Sequence, residues 1–181
     1  TPAQWDERVL PITTFVAETR ELEWVHPVAV DFLPEAEFVA LFGGPETDTT
    51  VPGLDALTRR ANEQRSAVYN AKGLTVSYDP DAADTTVQEI TTLGFYSPSI
   101  DRISMRGNEL TPAVRVVLAH ELTHALQAQH FDLTAERPND LEFRAVVEAD
   151  ALRVENVYRD TLSPAEQEQA DQQDAVARDE Q

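Results

Sequence analysis

Cysteine is absent from all 181 residues of the chain. Its absence excludes disulfide bonds, a thiol nucleophile and any cysteine-ligated metal site. A metal ion would therefore be held by histidine and carboxylate side chains, a donor set that suits a catalytic zinc ion better than a structural one. Hydrophobic runs are also short, and none approaches the length that a membrane-spanning helix requires. We therefore expect no transmembrane segment in this chain.

Positive charge is scarce as well. Lys72 is the only lysine, and 14 basic residues stand against 33 acidic ones, which gives a net charge of −19. The average field of such a chain repels phosphate, so the composition argues against a nucleic-acid partner. The simplest interpretation of this composition is an acidic, well-solvated surface. An adaptation to high salt would give the same composition. The sequence indicates no particular oligomeric state.

The chemistry of the chain is concentrated at residues 120–124, which read His-Glu-Leu-Thr-His. On a helix, His120 and His124 stand one turn apart on the same face, so both can reach one tetrahedral zinc ion at roughly 2.0–2.1 Å. Glu121 then lies close to the metal without binding it, where it can move a proton from a zinc-activated water to a leaving amine. This pattern on a helix is typical of zinc metallopeptidases and predicts a peptide or protein substrate. The alternatives are an accidental match and a pair of hydrogen-bonded core histidines.

The flanking residues predict the helix that the motif needs. Thr111 is a good N-cap, and Pro112 fits the first helical position, where its missing N–H costs nothing. Apolar residues then recur at helical spacing and form one broad stripe: Val114, Val117, Leu118, Leu122, Ala125 and Leu126. We therefore expect a mostly buried helix with the motif inside it.

A zinc hydrolase needs a third protein ligand, and His130 is one candidate. Residues 120–130 match the metzincin pattern H-E-x-x-H-x-x-G-x-x-H except at the glycine, which Gln127 replaces. Glutamine favours continuation of the helix, and His130 would then point away from the metal. Metzincins also carry a methionine downstream of the motif, whereas Met105 lies upstream. A metzincin-type peptidase that uses His130 therefore stays as an alternative.

Glu148, on the next long helix, is the candidate that we favour. A carboxylate on an apolar face is costly unless it is paired or bound to a metal. Glu155 is a weaker candidate, and an ion pair of Glu148 with Arg115 or Arg144 is the structural alternative. The predicted buried stripe of this helix contains Leu141, Ala145, Glu148 and Leu152.

Taken together, the strings VLAHELTHALQ at 117–127 and VEADA at 147–151 resemble the gluzincin class of zincin metallopeptidases. They are similar in particular to exported prokaryotic proteins with a HELTHALQ…EGDA signature. By position, the resemblance implies that His120, His124 and Glu148 bind Zn²⁺ and that Glu121 is the general base. It covers roughly residues 94–158. It also implies an exported protein, trimmed of any signal segment.

The chain departs from this class at one position. Thermolysin-like gluzincins place an aspartate four residues after the ligand glutamate, where it orients a zinc-binding histidine, but here that position is Leu152. Asp150 is the candidate replacement, and Asp132 is a weaker one. Candidate donors to the oxyanion of the reaction are Tyr96, His130, Arg153 and Tyr158.

The order of predicted elements indicates an α+β, zincin-like domain over residues 1–162. Its small mixed sheet has an edge hairpin that packs on the buried motif helix, beside a second long helix, and the resemblance implies that this hairpin pairs with an extended substrate. Residues 163–181 form an acidic tail for which a frayed helix and disorder are both open. Besides the motif helix, the predicted elements are helices at 3–20 (interrupted near Pro11), 34–42 (closed by Gly43-Gly44), 53–71 and 139–162, strands at 23–32 and 74–78, and a hairpin at 95–105.

The predicted function is zinc-dependent hydrolysis of peptide bonds with Glu121 as the general base. One rival is a non-catalytic zinc-binding or interaction domain that keeps the scaffold, although a purely structural site does not need a base. A latent protease held inactive by a removed segment is a further possibility.

Overall fold

A computed structural model describes residues 2–41, 93–131, 133 and 141–179 of the chain. Over these residues the protein is mixed α+β, with five helices and one three-stranded sheet. In chain order the elements are α1 (Leu10–Arg20), β1 (Ala29–Leu33), α2 (Glu35–Ala40), β2 (Gly94–Ser97), β3 (Arg102–Arg106), α3 (Pro112–His130), α4 (Leu141–Thr161) and α5 (Pro164–Asp179).

The first three elements are shorter than the sequence predicts. Helix α1 begins at Leu10 rather than near residue 3, because Pro11 is tolerated only in the first turn of a helix. Strand β1 begins at Ala29, after Pro27, rather than at residue 23. Helix α2 ends at Ala40. The predicted glycine stop at 43–44, the helix at 53–71 and the strand at 74–78 lie outside the described residues.

The sheet is mixed, as predicted, and has the strand order β1-β3-β2. Strand β1 runs parallel to β3, and β2 runs antiparallel to it, so Val30 and Tyr96 flank Ile103 from opposite sides. The predicted hairpin is therefore confirmed, and β2 is an outer strand of the sheet that the described residues form. The central strand contributes Ile103 and Met105 to the core, where both are fully buried.

Helix α3 is the centre of the fold. Thr111 caps it as predicted, since its side-chain oxygen accepts a hydrogen bond from the Val114 N–H at 3.3 Å, and Pro112 occupies the first turn. The helix contacts α1, α4, α5 and both strands of the hairpin. Its fully buried residues include Leu118, Leu122 and Leu126. The motif is thereby held on a helix that several elements immobilise.

Helix α4 presents a different face to the core from the one predicted. Its buried residues are Ala151, Val154 and Tyr158, whereas Ala145 is exposed. Glu148 lies three residues before Ala151 and so continues the observed stripe at helical spacing. Glu148 therefore lies towards the core side of α4 but is only half-buried, and Ala145 is wrongly assigned to the buried stripe.

The acidic tail forms helix α5, which packs against α3. A capping box begins it: the Ser163 N–H donates to Glu166 Oε2 at 2.9 Å, and the Glu166 N–H donates back to Ser163 Oγ at 3.4 Å. Arg115 of α3 reaches Glu166 at 2.5 Å, and Ala170 is fully buried. Among the described residues, no helix combines the length and apolar character needed to cross a bilayer.

Candidate metal centre

The two motif histidines face one another across one turn of α3. His120 Nε2 lies 3.0 Å from His124 Nε2, with the two rings 4.7 Å apart and nearly perpendicular. Each side chain is only 14% exposed. The i and i+4 spacing thus produces the shared face that the sequence predicts.

The opposite nitrogen of each ring has an oxygen acceptor. His120 Nδ1 lies 2.8 Å from Glu155 Oε2, and His124 Nδ1 lies 3.0 Å from Gln127 Oε1. These acceptors assign the proton of each neutral ring to Nδ1, which leaves a lone pair on each Nε2. Two lone pairs directed at each other repel, so the arrangement calls for a cation between them, either a proton or a metal ion.

Glu148 of α4 completes the group. Its Oε2 lies 3.6 Å from His120 Nε2, and its Oε1 lies 3.5 Å from His124 Nε2. Tetrahedral zinc with bonds of roughly 2.0–2.1 Å separates its ligand atoms by about 3.3 Å, close to the spacing observed here. The Glu148 side chain is 37% exposed, which leaves an open approach for water. Within the described residues, this is the group of histidine and acidic side chains whose atoms lie close enough to hold a metal ion.

The structure does not bring His130 to this group. Helix α3 continues through Gln127, as its sequence predicts, and carries His130 to an exposed position where Nε2 lies 2.8 Å from the Glu23 carbonyl oxygen. The alternative ion pair of Glu148 with Arg115 is also not formed, because Arg115 pairs with Glu166.

Glu121 lies beside the histidines and contacts the edge strand. The backbone N–H of Tyr96 in β2 donates to Glu121 Oε2 at 2.8 Å. Burial raises the pKa of Glu121, although the charges of His120 and His124 oppose the shift. A carboxylate with a raised pKa accepts a proton more readily, which is the property that a general base requires.

Charge in the metal-free group is balanced between histidine and carboxylate. Burial alone would lower the pKa of His120, but the Glu148 carboxylate 3.6 Å away and the hydrogen bond with Glu155 outweigh it and raise that pKa to about 10. Burial alone would raise the pKa of Glu148, but the imidazoles of His120 and His124, 3.5–3.6 Å away, hold it well below its usual value. The group therefore binds a proton strongly, and a metal cation can take that proton's place.

The contacts behind the two histidines differ from those predicted. Asp150 was expected to accept directly from a histidine, and this is wrong because Gln127 intervenes. Gln127 Nε2 donates to Asp150 Oδ2 at 2.7 Å, and Arg20 Nε lies 2.8 Å from the same oxygen. The direct acceptor is instead Glu155, seven residues after Glu148 and so on the same face of α4. The seven-residue spacing of Glu148 and Glu155 is the feature of the sequence from which this contact could have been predicted. The weaker candidate, Asp132, lies outside the described residues.

Three of the four candidate oxyanion donors have polar partners elsewhere, and the ring of the fourth, Tyr158, packs in the core. The Tyr96 hydroxyl donates to Asp101 Oδ1 at 3.0 Å, and Tyr158 packs edge-on against Phe15 with ring centroids 5.0 Å apart. Arg153 lies 3.4 Å from Asp150. His130 is bound to the Glu23 carbonyl as described above.

Comparison of the chain with protein-family models, with curated proteins and with solved structures finds no match. Any assignment of function therefore depends on the geometry of this site.

Proposed function

We propose that this protein is a zinc-dependent peptidase with a gluzincin-like ligand set: His120, His124 and Glu148. The observation that carries the proposal is the convergence of two histidine lone pairs and one carboxylate at separations close to those of tetrahedral ligands. The oxygen acceptor behind each histidine supports it, because such acceptors fix the ring orientation and raise the basicity of metal-binding histidines.

His120, His124 and Glu148 would hold the zinc ion, and when bound it would supply a Lewis acid for the scissile carbonyl and for water. Glu121 accepts the proton of the attacking water and later delivers it to the leaving amine. The Tyr96 N–H holds Glu121 Oε2, which fixes the carboxylate and leaves Oε1 to exchange the proton. A base is of no use to a purely structural site, so Glu121 favours catalysis over a scaffold role.

Strand β2 supplies an edge along which an extended peptide can bind. The Arg106 N–H donates to the Leu93 carbonyl at 2.8 Å, and in the antiparallel register the backbone groups of Tyr96 then point away from β3. The bond from Tyr96 to Glu121 shows that this outward side faces the motif. A peptide that adds to β2 as a further strand would therefore lie beside Glu121.

The experiment that tests this function is the substitution Glu121→Gln in zinc-loaded protein. Loss of the base should lower peptide hydrolysis by roughly 100-fold to 10,000-fold, with zinc content unchanged, because Glu121 is not a ligand. Cleavage is measured by mass spectrometry on a mixed peptide library, and zinc content by elemental analysis. Glu168→Gln, on the exposed side of α5, is the matched control.

Two results would contradict the proposal. Equal turnover by wild type and Glu121→Gln would remove Glu121 from the chemistry. Full zinc occupancy with no cleavage of any library peptide would favour the non-catalytic zinc-binding domain.

A further inference from the structure

A polar pocket of about 260 Å³ opens between the β2–β3 hairpin and the end of α3. Its walls come from the hairpin, the end of α3 with Leu133 beyond it, and the segment before β1. The lining residues are Tyr96, Pro98, Asp101, Ala128, Gln129, Leu133 and His26. None of these residues belongs to the metal group or to the base. The pocket is therefore separate from the chemistry described above.

The pocket nevertheless lies within reach of a peptide at the reacting centre. Tyr96 lines it while its backbone N–H holds Glu121. Ala128 follows His124 by one helical turn. Since a strand advances about 3.3 Å per residue, a peptide beside Glu121 would place the side chain of a nearby residue in this pocket.

The walls are fixed by hydrogen bonds. Gln129 Oε1 accepts from the Val25 N–H at 2.9 Å, and Gln129 Nε2 donates to the His26 carbonyl at 3.0 Å. This amide therefore ties the segment before β1 to the end of α3. A pocket held in this way is preformed, so a ligand does not need to order it.

The charge inside the pocket is negative. Asp101 Oδ1 accepts from the Tyr96 hydroxyl at 3.0 Å, and Oδ2 lies 3.5 Å from His26 Nδ1. Burial and the bond to Asp101 raise the pKa of Tyr96, so its hydroxyl stays protonated as the donor. Among the described residues that line the pocket, none is arginine or lysine, and the adjacent Arg102 pairs with Asp31 instead. Among the residues that the structure describes, the Asp101 carboxylate, which is 27% exposed, thus has no arginine or lysine partner within the pocket.

We propose that this pocket is a specificity subsite that binds an arginine or lysine side chain of the substrate peptide through Asp101. The inference rests on the proposed peptidase function and names its substrate class. A carboxylate binds guanidinium or ammonium by charge-assisted hydrogen bonds, which are stronger than neutral ones. The net charge of −19 also favours the approach of a basic peptide.

Asp101→Asn is the decisive variant. Asp101 has a left-handed backbone, with φ at 51°, and asparagine adopts that conformation as readily as aspartate. The amide oxygen can still accept from the Tyr96 hydroxyl, so that contact is kept while the negative charge is lost. Asp160→Asn, on the exposed surface of α4, changes the net charge equally and is the matched control.

Binding is measured first, on zinc-loaded protein that also carries Glu121→Gln to prevent cleavage. The probes are two labelled eight-residue peptides of alanine and glycine, one with a central arginine and one with its neutral isostere citrulline. Arginine should be preferred by roughly 10-fold to 100-fold, the range of a hydrogen bond to a charged group. The preference should vanish with Asp101→Asn and persist with Asp160→Asn. Equal binding of the two peptides, or a preference that survives Asp101→Asn, would overturn the proposal.

Cleavage of a random peptide library by protein with Glu121 intact separates this proposal from the peptidase proposal. Cuts enriched in arginine or lysine near the cleaved bond support both. Cuts without such enrichment overturn the subsite and leave the peptidase intact. Asp101-dependent arginine binding without any cleavage supports the subsite and counts against the peptidase.

Discussion

Replacing Glu148 by glutamine should remove most of the stabilisation that zinc gives the protein. Glutamine keeps the size of the side chain but loses the carboxylate that faces both histidine Nε2 atoms at 3.5–3.6 Å. The Glu148 side chain is 37% exposed, so the substitution leaves the packing of α4 on α3 in place. The change therefore tests the ligand without removing part of the core.

The expected change in Tm follows from the stabilisation that zinc gives by binding the folded state and not the unfolded chain. Zinc present at about 1,000 times its Kd stabilises the folded state by about 4 kcal/mol. For a chain of this length, 1 kcal/mol moves Tm by about 2–4 °C, so wild type should gain about 8–16 °C. A Glu148→Gln variant whose Kd rises to the working zinc concentration keeps only about 0.4 kcal/mol, or about 1–2 °C.

The assay is thermal unfolding of chelator-treated protein with and without added zinc. Glu168→Gln, which changes an exposed glutamate of α5, should keep the full shift. His130→Ala should also keep it, because His130 lies at the Glu23 carbonyl rather than at the metal group. An undiminished shift in Glu148→Gln would refute the ligand assignment, and loss of the shift in His130→Ala instead would establish the metzincin-type alternative.

Three further predictions concern the surroundings of the site. Glu155→Gln should weaken zinc binding roughly 10-fold to 100-fold in chelator competition, because it removes the charged acceptor that orients His120; an unchanged Kd would exclude that role. The metal-free protein should lose stability in urea titrations as pH rises from 6.5 to about 10. The raised pKa of His120 means that the folded state holds this proton more tightly than the unfolded chain, so its contribution is complete below 6.5 and is lost as pH passes the folded value. A flat profile over that interval would show that His120 gains no such stabilisation. Thr111→Ala should lower the free energy of unfolding by about 1 kcal/mol in the same titration, because it removes the cap of α3, and an equal midpoint for the two proteins would contradict this.

The parts of the site that sequence predicts well are those set by one helix. His120 and His124 share a face because of their spacing, and Thr111 begins α3 by a local hydrogen bond. The helix-favouring Gln127 correctly indicated that α3 continues and carries His130 away. Each of these features depends on neighbours within a turn or two, which the sequence displays directly.

The contacts between elements were not predictable in the same way. The bond from Glu155 to His120 depends on how α4 crosses α3, and the bond from Tyr96 to Glu121 depends on where the sheet packs. Ala145 was predicted to be buried and is exposed, because helical periodicity predicts that a helix has a buried face but not which residues lie at its centre.

Helix α5 is a different case, because its signal was local. Ser163 and Glu166 form a capping box, a pattern visible in the sequence, and Arg115 then pairs with Glu166 on α3. The acidic composition of residues 163–181 directed the interpretation towards a tail. The acidic composition of this segment indicates only that it is well solvated, whereas the capping box of Ser163 and Glu166 indicates that a helix begins there.

We propose above that His120, His124 and Glu148 form one zinc site beside the base Glu121. Anomalous diffraction at the zinc edge, from crystals of zinc-loaded protein, tests it most directly. We expect one strong peak within bonding distance of both histidine Nε2 atoms and the Glu148 carboxylate, with Glu121 outside the ligand shell. A peak at His130, or no peak between His120 and His124, would contradict it.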